Sequence, residues 1–417
     1  MDIKTILAAH GRDDRLDLFR GLANWFIFVD HIPNNVVSLI TIRNFGLSGA
    51  ADIFIFIAGY ATSIFYGRMM LERGFIVGAT RLSKRVWHLY VAYIVFFVIY
   101  VVTITNVAAE YAAPDIITEF NVTGLVEHPI RLLAHGLLLE SKPLNLDVLQ
   151  LLIILMALFP PVLGIMLHRP DLTLAASIAL YLAARALEWN LPSFPDGNWS
   201  FNPFCWQLLF VLGAWLALGG LEKCRAILKM PTLFNLGIAY LALALVVTMA
   251  GRFPEFGKMF PNWLFDAFNP SDKTNLAPYR LLHFIVLAFI VTRLVPKDWP
   301  YLQWKIWQPF IKCGEQSLAV FCAGVFLSFI GHFALTISSG SLPAQMVVSV
   351  SGVVIMTLIA YYISWSKRQD EPPEIRHRMA SIDTRDEAAT SNSIAGPSLA
   401  GPQLEHGTSR APDLIKL

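Results

Sequence analysis

The sequence contains little charge for its length and few cysteines. Only 15% of the 417 residues are charged and the net charge at pH 7 is +2, whereas 55% of the residues are hydrophobic. A soluble domain of this size carries more charge, and a nucleic-acid-binding protein carries a larger positive excess. The composition therefore predicts an integral membrane protein with no nucleic-acid partner.

The arrangement of the four cysteines and the absence of common catalytic motifs exclude several kinds of site. The cysteines have no paired spacing and lie in or next to apolar runs, so we expect neither a disulfide framework nor a zinc site. The sequence has no nucleophile elbow, phosphate-binding loop, paired-histidine zinc motif or dinucleotide fingerprint. We therefore expect no metal, and any catalysis must use a different set of residues.

What the sequence does have is about ten apolar runs long enough to cross a lipid bilayer. They predict an all-α, polytopic integral membrane protein. Lys and Arg concentrate in alternate loops, so the positive-inside rule places both termini in the cytoplasm. The polar start of the chain has no cleavage-like end, and we expect no secretory signal peptide. The runs cover residues 17–37, 45–66, 86–108, 146–168, 171–188, 203–220, 232–250, 279–295, 315–337 and 343–365.

The sequence predicts two regions of different character. A transmembrane domain covers residues 1–365. From Ser366 onward the chain becomes polar and rich in Ser, Pro, Gly and charge, without periodicity. Such a composition cannot bury enough apolar surface to fold, so we predict a disordered cytoplasmic tail over 366–417.

The first span contains polar residues that an ordinary membrane helix avoids. Asp17, Arg20, Asn24 and His31 fall within roughly 60° of one another on one helix face. Arg20 and His31 are separated by about 16 Å along the axis. Ionisable groups at membrane depth are costly and mark functional sites by default. The alternative is a boundary ion pair of Asp17 and Arg20, with His31 as an interhelical hydrogen-bond donor.

Asp52, in the second span, is a second buried charge. A carboxylate at membrane depth requires a cationic partner. We hypothesise that this partner is Arg20, Arg85 or His31. By contrast, the polar side chain of Gln207 in the sixth span is typical of a simple helix–helix hydrogen bond.

The loops on the predicted outer face combine aromatic rings with Asn and Asp. This pattern occurs over 188–202 and 251–278. It suits carbohydrate, because sugar C–H faces stack on rings while hydroxyls form hydrogen bonds. An interfacial aromatic belt is the alternative explanation. On the opposite face, the basic cluster of Arg81, Lys84 and Arg85 is either a topology signal or a phosphate-binding site for a coenzyme.

Four segments carry a recognisable pattern: Arg15–Gly21 with ten residues between Arg20 and His31, Gly49–Tyr60, Arg81–Arg85 and Gly314–Phe321. Together they resemble the acyltransferase-three superfamily of membrane acyltransferases, which move acyl groups from a cytoplasmic donor to extracytoplasmic glycans. Asp52 and the Asn202-Pro-Phe-Cys-Trp-Gln-Leu-Leu-Phe210 segment are most similar to the OpgC branch, the succinyltransferases of osmoregulated periplasmic glucans. The resemblance extends to about Trp365, but Cys322 stands where many members have a His.

The resemblance implies that a succinyl group passes from cytoplasmic succinyl-CoA to hydroxyls of a periplasmic glucan, in the inner membrane of a bacterium. It implies that His31 is the general base and that Arg20 binds a phosphate or the free succinyl carboxylate. Asp17 would position Arg20, and Asp52 would belong to the same catalytic group. Coenzyme A would dock at Arg81, Lys84 and Arg85. The implied substrate-binding residues are Asn24, Asn34, Asn35, Trp199, Asn202, Gln207 and Ser317.

Several alternatives remain open at this stage. The donor group could be acetyl and the acceptor another extracytoplasmic polysaccharide. A covalent acyl-histidine could replace direct transfer. A secondary transporter also has buried charges, although its two halves should then show an internal symmetry that is not visible here. A glycan-binding membrane protein without catalysis would tolerate the replacement of His31 by Gln. The oligomeric state is not predicted.

Overall fold

The computed structural model describes residues 3–9, 11–111, 117, 120–122, 128–141, 145–261, 263, 268, 272–297 and 299–369. Over these residues the chain is built from helices and contains no strand, only two isolated bridges. The all-α prediction is therefore confirmed. The predicted tail was wrong at its start, because residues 366–369 continue the last helix, Leu342–Gln369; from position 370 onward it lies outside the described residues.

Among the described residues, fifteen α-helices are labelled in chain order, with short 3₁₀ turns between some of them. A π-helical segment, Leu216–Gly220, joins Pro203–Trp215 to Leu221–Leu228 and contains Gly219 at φ +114°. The helices are α1 Ile3–Ala9, α2 Asp14–Asp30, α3 Ala50–Arg73, α4 Phe75–Glu110, α5 Pro129–Leu137, α6 Asp147–Met166, α7 Pro170–Ala186, α8 Pro203–Trp215, α9 Leu221–Leu228, α10 Pro231–Arg252, α11 Pro254–Gly257, α12 Pro278–Leu294, α13 Gln308–Glu315, α14 Ser317–Ile337 and α15 Leu342–Gln369.

Seven helical segments among the described residues are long and apolar enough to cross a membrane. They are α3, α4, α6, the α8–α9 segment, α10, α14 and α15, and they confirm the polytopic prediction. Three further helices of 17 residues each, α2, α7 and α12, coincide with predicted spans. The count of about ten spans and the cytoplasmic termini stay predictions.

Several helix boundaries differ from the prediction, and two of these differences have a clear physical reason. The first span ends at Asp30 rather than at residue 37, because the chain turns through Pro33 and through Asn34, which has φ +57°. The third span begins at Phe75, eleven residues earlier than expected. Its first three turns carry exposed basic side chains, so their hydropathy is low although they are helical.

The α2 helix packs against α13 with backbone touching backbone. A Cβ atom added to Gly314 would lie 1.8 Å from the carbonyl oxygen of Asp17, and one added to Gly21 would lie 1.9 Å from that of Phe310. No side chain fits at either position. Small residues at such crossings let membrane helices approach closely and gain van der Waals contact. The position of α2 is therefore fixed by two glycines.

A second crossing of the same kind joins α3 to α8. A Cβ atom on Gly59 would lie 2.0 Å from the carbonyl oxygen of Phe210, and one on Gly213 would lie 2.3 Å from that of Phe56. The α2 helix packs in turn on α3 and on α14. The first span is thereby connected to the central helices of the protein.

The glycine crossing of α2 generates a stability prediction. Gly21→Ala should lower the free energy of unfolding by ~1–3 kcal/mol, because the new methyl group overlaps the Phe310 carbonyl and forces the helices apart. Thermal unfolding of the purified protein in detergent measures this loss. The control is Gly67→Ala, where the added Cβ meets side-chain atoms only at 3.4 Å or more. Equal thermal unfolding midpoints for the Gly21→Ala and Gly67→Ala variants would contradict this packing of α2 against α13.

Candidate active site

His31 lies where α2 ends, and one of its ring nitrogens has no partner. The backbone N–H of His31 donates to the carbonyl of Ile27 at 3.1 Å, closing the last turn. The Nδ1 atom is buried, and among the described residues it has no hydrogen-bond partner. Buried polar atoms in folded proteins are nearly always paired, so an unpaired imidazole nitrogen calls for a functional explanation. A group that accepts or delivers a proton would supply one.

The opposite end of α2 carries a charged network. Arg20 pairs with Asp17 at 3.2 Å, as predicted, and Arg12 also approaches Asp17 at 3.3 Å. Arg12 pairs in addition with Glu315, which accepts from Lys312 at 2.9 Å. The guanidinium of Arg20 is thus already neutralised. Ten residues separate it from His31, which corresponds to about 16 Å along the helix.

The start of α2 is itself firmly capped. The Asp13 carboxylate accepts hydrogen bonds from the Arg15 backbone at 3.2 Å and from its guanidinium at 2.7 Å. Burial alone would raise the pKa of the Asp13 carboxyl, but the hydrogen bonds from Arg15 outweigh it and hold that pKa below its ordinary value. Arg15 also donates to the Val295 carbonyl at 2.8 Å, which joins α2 to the segment after α12.

The predicted coenzyme-binding cations lie on the early turns of α4. Arg81, Lys84 and Arg85 are all exposed, and none forms an ion pair with another described residue. Arg85 is close enough to Arg20 for the two like charges to repel each other. The structure therefore brings this basic cluster to the Arg20 end of α2, away from His31.

Asp52 has a different partner from the three hypothesised. Its carboxylate, 0% exposed, accepts two hydrogen bonds from Arg280, at 3.0 Å and 2.5 Å, and one from the Gly49 backbone at 2.8 Å. The pairing with Arg20, Arg85 or His31 is wrong. Asp52 lies in the first turn of α3, and Arg280 lies in the first turn of α12, so both project from neighbouring helix starts. A single sequence gives no signal for this distant pair.

Lys273, which the sequence analysis missed, interacts with several of these groups. Its side chain is accessible to solvent, and its ammonium lies 4.2 Å from the centre of the Phe201 ring. It interacts electrostatically with Asp30 and His31, with Asp52 and Asp147, and with the cations Arg43 and Arg280. Partial burial lowers the pKa of its ammonium below the ordinary value.

Asp30 is a second residue that the sequence analysis did not select. Its carboxylate accepts from the Thr41 hydroxyl at 2.6 Å and pairs with Arg43 at 3.4 Å. The turn after α2 brings these partners back to the helix end. The adjacency of Asp30 to His31 in the sequence was the available signal. The surroundings of His31 therefore contain both signs of charge.

The four small polar candidates divide into two groups. The side-chain amide of Asn24 donates to the Ser317 carbonyl at 3.3 Å, and its Oδ1 atom is buried without a partner among the described residues. Asn35, in contrast, donates to the Ser349 hydroxyl at 2.9 Å and caps a 3₁₀ turn. Asn34 is exposed in the turn. Asn24 and Ser317 come together, while Asn34 and Asn35 shape the chain after His31.

The three candidates from the sixth span and its preceding loop, Gln207, Asn202 and Trp199, mainly stabilise the fold. Gln207 exchanges hydrogen bonds with Ser177 of α7, at 2.6 Å and 2.9 Å, which is the helix–helix pair that the sequence pattern favours. Asn202 caps α8 and donates to Asn275 at 2.9 Å. Trp199 is buried and lies at the edge of a pocket.

That pocket lies between the end of α7, the loop over 188–202 and the loop over 272–275. Its volume is about 620 Å³. The wall is mostly hydrogen-bonding groups, with one aromatic ring. Three of its lining residues, Asp272, Thr274 and Asn275, lie within two positions of Lys273 in the chain. The lining residues are Ala184, Arg185, Glu188, Asn190, Asn198, Trp199, Ser200, Asp272, Thr274 and Asn275.

The buried pair yields a prediction about Asp52. Asp52→Asn should lower the free energy of unfolding by ~3–5 kcal/mol, because it leaves the buried Arg280 guanidinium without its counter-ion. Thermal unfolding in detergent measures the change. The double variant Asp52→Leu/Arg280→Met removes both charges and should recover much of the stability. An active double variant would assign Asp52 a structural role, and an Asp52→Asn protein as stable as wild type would contradict the pairing.

Comparison with known proteins adds one finding. A family model described as OpgC protein matches residues 12–368 of the chain. No curated protein and no solved structure gives a significant match. Because the match covers most of the chain, the chain belongs to the OpgC family.

Proposed function

We propose that this member of the OpgC family is a transmembrane O-succinyltransferase of the bacterial inner membrane. It would transfer a succinyl group from cytoplasmic succinyl-CoA to hydroxyls of periplasmic, osmoregulated glucans. Family membership supports a membrane acyltransferase related to glucan modification and favours it over a secondary transporter. The observation that carries the proposal is the buried, unpaired Nδ1 atom of His31 at the end of α2.

In the proposed reaction His31 is the general base. A neutral imidazole accepts the proton of a glucan hydroxyl while the hydroxyl oxygen attacks the thioester carbonyl carbon. The new C–O ester bond forms, the C–S bond breaks, and His31 returns the proton to the departing thiolate. Products are the O-succinyl glucan and free coenzyme A. The unpaired Oδ1 of Asn24 lies on the same helix face as His31, and it can accept a hydrogen bond from the acyl donor.

The coenzyme would enter at the basic end of α2. Arg81, Lys84 and Arg85 are exposed cations without counter-ions among the described residues, which suits phosphate groups. Arg20 lies at the same end, where Asp17 pairs with its guanidinium at 3.2 Å. The pantetheine arm of coenzyme A is long and flexible, so a nucleotide bound here can still deliver its thioester towards His31.

The glucan would bind at the pocket between the 188–202 and 272–275 loops. Its volume of about 620 Å³ falls within the ~300–1,000 Å³ typical of ligand sites. Carboxylate, amide and hydroxyl groups line it, and they match the dense hydroxyl pattern of a sugar. Trp199 contributes an aromatic ring of the kind that stacks on sugar C–H faces.

The role of His31 is tested by the charge of the glucans. In cells that lack this protein, wild-type protein should restore anionic periplasmic glucans, and His31→Ala should leave them neutral because the proton acceptor is gone. Electrophoretic or ion-exchange separation of extracted glucans gives the result. His168→Ala, at an exposed histidine, is the matched control and should behave like wild type.

Membrane levels of each variant must be equal for the comparison to hold. Anionic glucans from a folded His31→Ala protein would exclude His31 as the base. If wild-type protein leaves the glucans unchanged, the succinyl donor or the glucan acceptor is wrong.

The acceptor pocket is tested by filling it. Ser200→Trp should raise the KM for glucan roughly tenfold, because an indole ring would occupy space that the sugar needs. The KM for succinyl-CoA should not change. Asp196→Trp, in the same loop but outside the pocket lining, is the control. Equal KM values for glucan in both variants and wild type would remove the pocket from the proposal.

A further inference from the structure

A succinyl group brings a second charge into the reaction site. Its distal carboxylate lies only a few bonds from the thioester carbon, so whatever holds it must lie close to the reacting carbon. A carboxylate that leaves water without a cationic partner pays a large desolvation cost. If the proposed function is correct, a cation must therefore lie near His31. This inference rests on that function.

Arg20 does not meet this requirement. It lies about 16 Å from His31 along α2, much farther than a four-carbon acyl group reaches. Its guanidinium is also paired with Asp17 at 3.2 Å. The sequence resemblance allowed Arg20 to bind either a phosphate or the succinyl carboxylate, and the geometry favours the phosphate.

Two cations, Lys273 and Arg43, interact electrostatically with His31. Arg43 pairs with Asp30 at 3.4 Å. Among the described residues, no carboxylate forms an ion pair with Lys273.

The backbone of Lys273 is held rigidly. Its carbonyl accepts from the Trp206 indole N–H at 3.0 Å, and the next carbonyl, of Thr274, accepts from the Asn202 backbone at 3.0 Å. Tyr181 donates to the Leu276 carbonyl at 2.7 Å. A lysine on an anchored loop loses less conformational freedom when it binds a ligand.

The side chain of Lys273 is exposed and lies close enough to His31 to interact with it electrostatically. Its ammonium lies 4.2 Å from the centre of the buried Phe201 ring, which leaves its remaining hydrogen-bond donors open. It interacts electrostatically with both His31 and Asp30. A small anion between Lys273 and His31 would thus meet a cation and an apolar ring.

We infer that Lys273 forms the binding site for the distal carboxylate of the acyl group, and that it selects dicarboxylic acyl donors over neutral ones. The ammonium donates to the carboxylate, and the Phe201 ring contacts the methylene carbons. Lys273 does not take part in the proton transfer. It places the thioester carbonyl relative to His31.

The test uses two donors of equal chain length, succinyl-CoA and butyryl-CoA, with purified full-length protein and glucan. Lys273→Met removes the charge and keeps the side-chain length. It should lower kcat/KM for succinyl-CoA by roughly 10- to 100-fold and leave the butyryl-CoA value within about twofold. Lys273→Arg should restore part of the succinyl preference. Lys258→Met, at an exposed lysine paired with Glu255, is the control.

Each other outcome overturns the inference. Equal losses on both donors would mean that Lys273 supports the fold or acts on His31, and a shifted pH profile for both donors would identify the second case. Unchanged succinyl transfer would mean that another group holds the carboxylate. The proposed function itself fails only if wild-type protein transfers no succinyl group, so the two failures are distinguishable.

Discussion

The buried ion pair between Asp52 and Arg280 is the contact on which the arrangement of α3, α8 and α12 depends. It joins the first turn of α3 to the first turn of α12, and the guanidinium also lies 5.7 Å from the Trp206 ring of α8. Three helices are therefore fixed relative to one another at a single point. The 272–277 loop enters α12 immediately before Arg280, so its course follows from the same contact. The positions of Lys273 and of the pocket lined by residues 272–275 therefore depend on this pair.

The two ends of the α2 helix differ in charge. One end has Arg20, a carboxylate network and the exposed cations of α4, and the other has His31 beside Asp30 and Lys273. In the proposed reaction the first end would bind phosphate, which needs an exposed excess of positive charge, and the second would host acyl transfer, which needs a sheltered and balanced site. A single span would then satisfy both demands.

Most of the helices could be predicted from the sequence, because membrane helices leave strong hydropathy signals. The polar face of the first span followed from helical periodicity, and the Asp17–Arg20 pair followed from the spacing of three. The start of α4 was missed because its basic turns resemble a loop. The partner of Asp52 was missed because residue 280 is far away in the sequence, and Lys273 was missed because its loop has no periodicity. Contacts between distant segments leave no trace in a single sequence, whereas contacts along one helix do.

The glycine crossing of α2 and α13 has a consequence for which donors can react. Because Gly21 and Gly314 let the two backbones touch, a slide or tilt of α2 would press the Asp17 carbonyl against α13 or Gly21 against the Phe310 carbonyl. The distance between the cationic end and His31 is then constant. In the proposed reaction this distance would discriminate between donors: one with a full pantetheine chain would reach from the cations to His31, whereas a truncated thioester would reach His31 only by losing its contact with the cations.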